Sequence, residues 1–159
     1  MKKITAVILL LLACAVFFTG CANASASTQE PSVRVYSFSG ENEQLSLSNG
    51  VLVLGDEEEI CYGGDLKAAP EAFVDITAYT ASIYIDGKER QILLSNSAED
   101  VSGGTVDPAG QVGKISGNVL RDGDGDRLAE DLWFELKTTN LQGEENTFQI
   151  QLKVVEITE

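Results

Sequence analysis

The stretch LWFELKTTNLQGEENTFQIQLKV, residues 132–154, decides the fold of this chain. In its first half, Leu132, Phe134 and Leu136 occupy every second position, with Trp133 and Glu135 between them. The second half alternates in the same way, with an apolar residue at every even position from 148 to 154. A period of two is typical of a half-buried β-strand. Because a Gln-Gly dipeptide separates the halves, the stretch predicts an antiparallel hairpin.

The same alternation continues through residues 33–159. Asn49-Gly50 lies between two alternating runs and predicts a hairpin turn, and Asp86-Gly87 predicts a second one. Further strands are predicted at 33–38, 59–62, 74–79 and 114–120, with single helical turns within 65–73 and 126–131. About eight short strands and no long helical pattern predict an all-β fold, a single antiparallel β-sandwich. We expect it to be immunoglobulin-like rather than a closed barrel.

The chain is strongly acidic, with 11 basic and 25 acidic residues and a net charge of −14. Without residues 1–20, which hold two lysines, the balance is 9 − 25 = −16. Such a charge argues against nucleic acid as a partner, because few cations are available to neutralise phosphates. The chain also has no histidine, so Ser–His and Cys–His nucleophile pairs are excluded within it.

The first residues have the pattern of an export signal. Two lysines are followed by residues 4–18 without a charge, which as a helix would span about 22 Å, less than the ~30 Å hydrocarbon core. Phe18-Thr19-Gly20-Cys21 then resembles the lipobox of bacterial lipoprotein precursors, although that family usually has an aliphatic residue where Phe18 stands. The resemblance implies cleavage before Cys21 and attachment of a diacylglycerol to its sulfur. Ordinary secretion is the alternative, because residues 24–26 read Ala-Ser-Ala, an acceptable signal-peptidase site.

The chain is accordingly predicted to have three parts: a signal peptide at 1–20, a flexible tether at 21–32 and the β-sandwich domain at 33–159. The tether is rich in Ala, Ser and Thr and has too little apolar surface to fold. The protein would be held at the outer side of the cell membrane by its lipid, and it resembles the small lipoproteins of Gram-positive bacteria.

Cys61 would then be the remaining thiol of the domain, and we expect a small buried hydrophobe there.

A glycine-rich acidic loop is the best candidate for a metal site. Carboxylates at alternate positions of such a loop can turn toward one Ca²⁺ ion, which prefers oxygen ligands. The first, third and fifth positions match an EF-hand loop, but the sixth and twelfth do not, so a simpler Ca²⁺ loop is the hypothesis. The alternative is a solvated turn. The residues concerned are Asp122, Asp124 and Asp126, with Glu130 or Asp131 closing the site.

Trp133 is the candidate for contact with a ligand or partner. Since Leu132 and Phe134 face the core, Trp133 should share the opposite strand face with Glu135 and Lys137. Across the hairpin, the matching polar face offers Thr147, Gln149, Gln151 and Lys153. An indole on a polar strand face can stack against a sugar or anchor a partner protein. The alternative is a tryptophan covered by a neighbouring loop.

These features favour a non-catalytic envelope module that binds an envelope protein, a glycan or Ca²⁺. One alternative is a small hydrolase that uses two carboxylates, and another is a solute-binding accessory of a transporter. No spacing in the sequence selects a carboxylate pair, and about 127 residues are few for two lobes that close on a solute.

Overall fold

The period-two pattern becomes β-structure throughout the part of the chain that the computed structural model describes, residues 33–120 and 124–157. The predicted signal peptide, the predicted tether and Cys21, the predicted site of lipid attachment, lie outside these residues. The all-β prediction is confirmed. The strands are β1 (Arg34–Glu41), β2 (Leu45–Leu54), β3 (Glu59–Tyr62), β4 (Asp65–Ala68), β5 (Ile76–Ile85), β6 (Gln91–Glu99), β7 (Gly110–Gln111), β8 (Lys114–Gly117), β9 (Leu132–Asn140), β10 (Glu145–Gln151) and β11 (Lys153–Glu156).

The strands form two antiparallel sheets. One has four strands in the order β10-β9-β5-β6. The other has seven, with the path β11-β1-β2-β3-β8 and with β4 and β7 beside it. Alternation predicts about eight strands. The described residues form eleven, because β4 and β7 were not predicted and because the last predicted strand divides between the two sheets.

Both sheets contribute to one hydrophobic core. Ile83, Phe134 and Leu136 come from the four-stranded sheet, and Leu47 and Leu52 come from the seven-stranded one. All five are almost completely buried. Burying a side chain of this size contributes roughly 1.5–3 kcal/mol, so the shared core is the main source of stability.

The predicted hairpin at Asn49-Gly50 is wrong. Both residues lie inside the continuous strand β2, whose first half pairs with β4 and whose second half pairs with β3. Asn49 has a φ of 59°, and the register with β1 shifts there. A Cβ on Gly50 would lie 2.0 Å from the Phe38 ring, so the glycine serves close packing of this ring against the backbone. The dipeptide forms a β-bulge instead of a turn.

The other two hairpins are confirmed. β5 and β6 pair from Ile85 opposite Gln91, so the Asp86-Gly87 dipeptide begins a loop of five residues. β9 and β10 pair across a loop of four residues that contains Gly143, with a φ of 77°. In that loop the Asn140 carboxamide oxygen accepts hydrogen bonds from the backbone N–H groups of residues 142 and 144.

The predicted strand over 148–154 is divided between the two sheets. β10 belongs to the four-stranded sheet, whereas β11 pairs with β1 in the other sheet. Leu152 lies between them, and its N–H donates to the Leu132 carbonyl over 2.9 Å. A Cβ on Gly40 would lie 2.7 Å from Ile150 Cγ2 and 2.9 Å from the Gln151 carbonyl oxygen. Gly40 therefore lets the chain pass from one sheet to the other.

The remaining local predictions hold in part. β3 coincides with the strand predicted at 59–62, whereas β5 and β8 differ from their predictions by a few residues. In the stretch 65–73, β4 comes first and a 3₁₀ turn follows at Pro70–Ala72. The helical turn predicted within 126–131 is confirmed, with a 3₁₀ turn at Asp124–Arg127 and an α-helical turn at Leu128–Asp131. No helix in the described ranges has the length and apolar character required to cross a bilayer.

Candidate functional site

The side of the four-stranded sheet that faces away from the core carries the best candidate site. Since side chains alternate along a strand and neighbouring strands are in register, the outward residues form four rows across the sheet. In the order β6, β5, β9, β10, the rows are Ile92, Tyr84, Trp133, Gln151; Ser95, Ser82, Glu135, Gln149; Ser97, Thr80, Lys137, Thr147; and Glu99, Ala78, Thr139, Glu145. We call these residues, with Arg90 from the β5–β6 loop, the outer face.

Glu135 is the centre of the outer face. It is only 6 % exposed, although it lies on the solvent side of the sheet. Arg90 Nη1 reaches its two carboxylate oxygens over 3.0 and 3.2 Å, and Gln149 Nε2 donates over 2.8 Å. Lys137 Nζ lies 3.4 Å away. These contacts supply the partners that a buried carboxylate requires.

The neighbours of Glu135 keep it ionised. Burial raises the pKa of this carboxyl, but the hydrogen bonds from Gln149 and Arg90 and the positive charges of Arg90 and Lys137 outweigh burial. The pKa of Glu135 is therefore lower than that of an ordinary glutamate. A general acid requires the opposite shift, so the geometry suits Glu135 to an ordering role.

Tyr84 lies beneath Arg90. The guanidinium carbon is 3.9 Å from the centroid of the tyrosine ring, and the residue is only 2 % exposed. Such cation–π contacts contribute about 0.5–2 kcal/mol. The Tyr84 hydroxyl accepts a hydrogen bond from Gln149 Nε2 over 3.3 Å. Burial is the main cause of the raised pKa of Tyr84, with the Arg90 charge acting against it and the charges of Glu135 and Asp86 acting with it.

Trp133 lies where the alternation places it. It is opposite Tyr84 on one side and Gln151 on the other, and it shares the outer face with Glu135 and Lys137. The Trp133 side chain is half-buried, so it is not fully covered by a neighbouring loop. The indole is therefore held at the surface beside an ordered polar cluster, and its role in binding stays a prediction.

A shallow groove occupies the other end of the outer face. Its volume is about 410 Å³, and residues of all four strands line it. The small side chain of Ala78 leaves room over the middle strands, while Glu99 and Glu145 are exposed on the edge strands at either side. Hydroxyl groups of Thr80, Ser97 and other lining residues make this groove polar.

The acidic loop is described only in part. Asp122 lies outside the described residues, and Asp124 and Asp126 lie in a 3₁₀ turn whose two aspartate side chains are likewise outside the description. Asp131 Oδ2 is paired with Arg127 Nη2 over 2.8 Å, and Glu130 is exposed. Among the described side chains, no three acidic or cysteine residues are arranged to hold a metal. The Ca²⁺ loop stays a prediction, which calorimetric titration of the wild type and an Asp122/Asp124/Asp126→Ala variant would test.

The thiol of Cys61 has no exposed surface. Burial raises its pKa to about 12, so it is protonated at neutral pH. Thiolate is the reactive form of cysteine, and Cys61 therefore behaves as the small buried hydrophobe that was expected.

The sequence indicated some of these residues and missed others. Alternation beside Ile83 and Ile85 already places Tyr84 on the solvent side of β5. Arg90 has no such signal, because it lies in a loop and its position over Tyr84 depends on the course of that loop. Gln149 was predicted on a polar strand face, but its contact with Glu135 required the pairing of β9 with β10.

The described residues define an all-β domain with one ordered, polar outer face. Searches of protein-family models, curated proteins and solved structures gave no match to this chain. Its function must therefore be argued from its own residues.

Proposed function

We propose that this chain is a membrane-anchored extracytoplasmic lipoprotein whose residues 33–159 form a non-catalytic binding module of the cell envelope. The observation that carries the binding role is the outer face, where the exposed side chains of Arg90 and Gln149 are ordered by contacts with the buried residues Glu135 and Tyr84. Side chains that are fixed before a ligand arrives lose less conformational entropy on binding. Trp133 and the groove provide contact surface on the same face.

The proposed location at the membrane rests on the motif that ends at Cys21. A diacylglycerol on this sulfur would place two acyl chains in the membrane, and two chains hold a protein stably at ~0.8 kcal/mol for each buried CH₂. Residues 22–32 would then separate a negatively charged domain from a negatively charged membrane surface. The lipid anchor supplies the membrane contact, so the domain surface is available to an envelope protein or a glycan.

We propose an immunoglobulin-like sandwich as the fold of the module. Two antiparallel sheets that share one core support this assignment, as does the passage of the last strand from one sheet to the other at Leu152. In sandwiches of this type the outer faces and end loops are free for recognition.

Carboxylate hydrolysis is the weaker alternative. The two exposed groove carboxylates, Glu99 and Glu145, lie on the two edge strands, three strand spacings or roughly 14 Å apart at the backbone. Glycosidase pairs are about 5–9.5 Å apart, and one member has a raised pKa. Glu135 has a lowered pKa and is occupied by Arg90. A transporter accessory that closes around a solute has no observation in its favour.

Cell fractionation tests the proposed location at the membrane. We expect the wild type in the membrane pellet with a mass increase of one diacylglycerol on the N-terminal cysteine, and the Cys21→Ser variant in the soluble fraction. Cys61→Ser is the matched control and should stay in the pellet. An unmodified N-terminus near Ser27 would show that the protein is simply secreted.

Capture from native membranes tests the binding role. The full-length protein would be crosslinked in cells as wild type and as the outer-face variants Trp133→Ala and Lys137→Glu. The matched control is Tyr62→Ala, which changes a half-buried aromatic residue on the other sheet. We expect about tenfold less captured material with each outer-face variant and no change with the control. Equal capture by all four proteins would disprove the binding role of this face.

A further inference from the structure

We infer that the ligand of the outer face is an uncharged oligosaccharide, which lies along the strands from Trp133 to the groove between Glu99 and Glu145. The inference rests on the proposed binding function and names the ligand class for the same face. Three properties of the outer face lead to it: its hydrogen-bonding groups, its aromatic end and its charge balance.

Hydroxyl and amide side chains dominate the polar part of the outer face. Serine and threonine from β5, β6 and β10 flank the two charged residues of β9 in its middle rows, and Gln149 and Gln151 add amide groups on β10. Each hydroxyl both donates and accepts a hydrogen bond, and so does each amide group. Sugar hydroxyls have the same dual character. The edge-strand members Ser97 and Thr147 are exposed, so their hydroxyls can reach a bound chain.

Apolar surface lies at one end of the rows. Trp133 is half-buried there, and Ile92 on the same row is 57 % exposed. Tyr84 between them is covered by Arg90. A rigid indole provides a flat apolar surface at small entropic cost. The C–H face of a pyranose ring fits such a surface while its hydroxyls turn toward polar neighbours.

The charge balance of the outer face disfavours an anionic ligand and offers little to a cationic one. Its basic residues are Arg90 and Lys137 and its acidic residues are Glu99, Glu135 and Glu145, so its net charge is 2 − 3 = −1. The whole chain carries −14. An anionic polymer would be repelled by the surrounding charge. A cationic one would meet exposed carboxylates only at the groove, on Glu99 and Glu145, because the central carboxylate is already paired with Arg90 and Lys137.

The size of the outer face fits a short chain better than a single sugar. From Trp133 to Thr139 is six residues along β9, roughly 20 Å at ~3.4 Å per residue. Trp133 lies at one end of this length, and the groove of about 410 Å³ lies at the other. A ligand that uses both must be an oligosaccharide. We expect a Kd between about 1 mM and 1 µM for such an open, polar surface.

Trp133 is the only tryptophan in the chain, so its fluorescence reports directly on this end of the face. The full-length protein in detergent would be titrated with four hexasaccharides. Two are uncharged, a glucose and an N-acetylglucosamine hexamer, one is a cationic glucosamine hexamer, and one is an anionic galacturonate hexamer. We expect saturable changes in emission with at least one uncharged hexamer, at about tenfold lower concentration than with either charged one.

Substitutions within the four rows test whether these residues contribute to oligosaccharide binding. Ser97→Ala and Thr147→Val leave Trp133 unchanged, and each should weaken binding about threefold to tenfold. Ser116→Ala, at an exposed serine on an edge strand of the other sheet, is the matched control and should bind like the wild type. Trp133→Ala would be followed by calorimetry and should lose detectable heat. Circular dichroism would show that each variant is folded.

Three results would overturn the inference: no response to either uncharged hexamer at millimolar concentration, preference for a charged hexamer, or equal effects of Ser97→Ala and Ser116→Ala. The first result, together with face-dependent capture of a protein from membranes, would leave the binding module standing with a protein as its ligand. The same result without face-dependent capture would remove both proposals.

Discussion

Asn49-Gly50 and Asp86-Gly87 are almost the same dipeptide, and both lie between alternating apolar runs. The first lies inside a ten-residue strand, whereas the second begins a five-residue loop between two strands. At Gly50 the Phe38 ring occupies the space that a side chain would need. At Gly87 the neighbour is the partly exposed guanidinium of Arg127, which pairs with Asp131 at the surface. A turn signal therefore decides the local backbone only where no core side chain competes for the same space.

The largest effect is expected from Gly50→Ala. The new Cβ would lie 2.0 Å from Phe38 Cε2, inside a strand paired on both sides. Overpacking of this kind costs about 3 kcal/mol in free energy of unfolding, measured by urea denaturation. The double variant Gly50→Ala/Phe38→Leu should recover part of this loss. Additive effects of the two substitutions would contradict the role assigned to Gly50.

A smaller effect is expected from Arg90→Ala, which tests what the Asp86-Gly87 loop contributes. The substitution removes the guanidinium from Tyr84 and from the carboxylate of Glu135. Gln149 and Lys137 still contact that carboxylate, and Arg90 is partly exposed, so the expected loss of stability is about 2 kcal/mol. Lys88→Ala, in the same loop and exposed, should change the stability little.

The same contact predicts a pH dependence. The pKa of Glu135 is lowered in the folded state, so its contribution to stability is present above its unfolded pKa of about 4.3 and is lost as the pH falls through the folded value. In Arg90→Ala the pKa should rise and the loss should begin at higher pH. Urea denaturation between neutral pH and pH ~2.5, a range that includes the lowered folded pKa, would measure this. Subtracting a Glu135→Gln reference removes the contribution of the other carboxylates, and identical acid limbs for wild type and Arg90→Ala would contradict the mechanism.

Asn49→Ala should cost about 1 kcal/mol. Asn49 has a φ of 59°, where alanine is disfavoured, and its amide donates to the Asp65 carboxylate over 2.9 Å. Asn49→Gly keeps the backbone conformation accessible and should cost less, as thermal denaturation of both variants would show. A larger loss for glycine than for alanine would mean that the positive φ is not what the position requires.

The smallest effect is expected from Gly87→Ala. Its Cβ would approach the Arg127 guanidinium, which pairs with Asp131 and the Asp86 carbonyl but is partly exposed, so a small shift of this long side chain costs little. We expect a change of about 0.5 kcal/mol or less by urea denaturation. A loss of stability comparable to that of Gly50→Ala would contradict the different roles assigned to Gly50 and Gly87.

Local sequence was sufficient for the β9 and β10 side of the outer face. The alternation around Phe134 predicted that Trp133, Glu135 and Lys137 share one side, and Gln149 was predicted on the matching polar face of the partner strand. It was not sufficient for Arg90, because a loop residue has no periodicity that fixes its direction. It was also not sufficient for β2, where alternation on both sides of Asn49 suits one bulged strand as well as it suits two strands of a hairpin.

The sequence by itself determined the fold class and which side of each long strand faces the core, because alternation and burial are local properties of a strand. It also determined the acidic charge and the motif at Cys21. Only the tertiary structure decided which glycine bends the chain and which one makes room for a ring, where the last strand passes between sheets, and which loop residue reaches Glu135. These outcomes depend on contacts between residues that are far apart in the chain. Such contacts cannot be predicted from any short stretch of sequence.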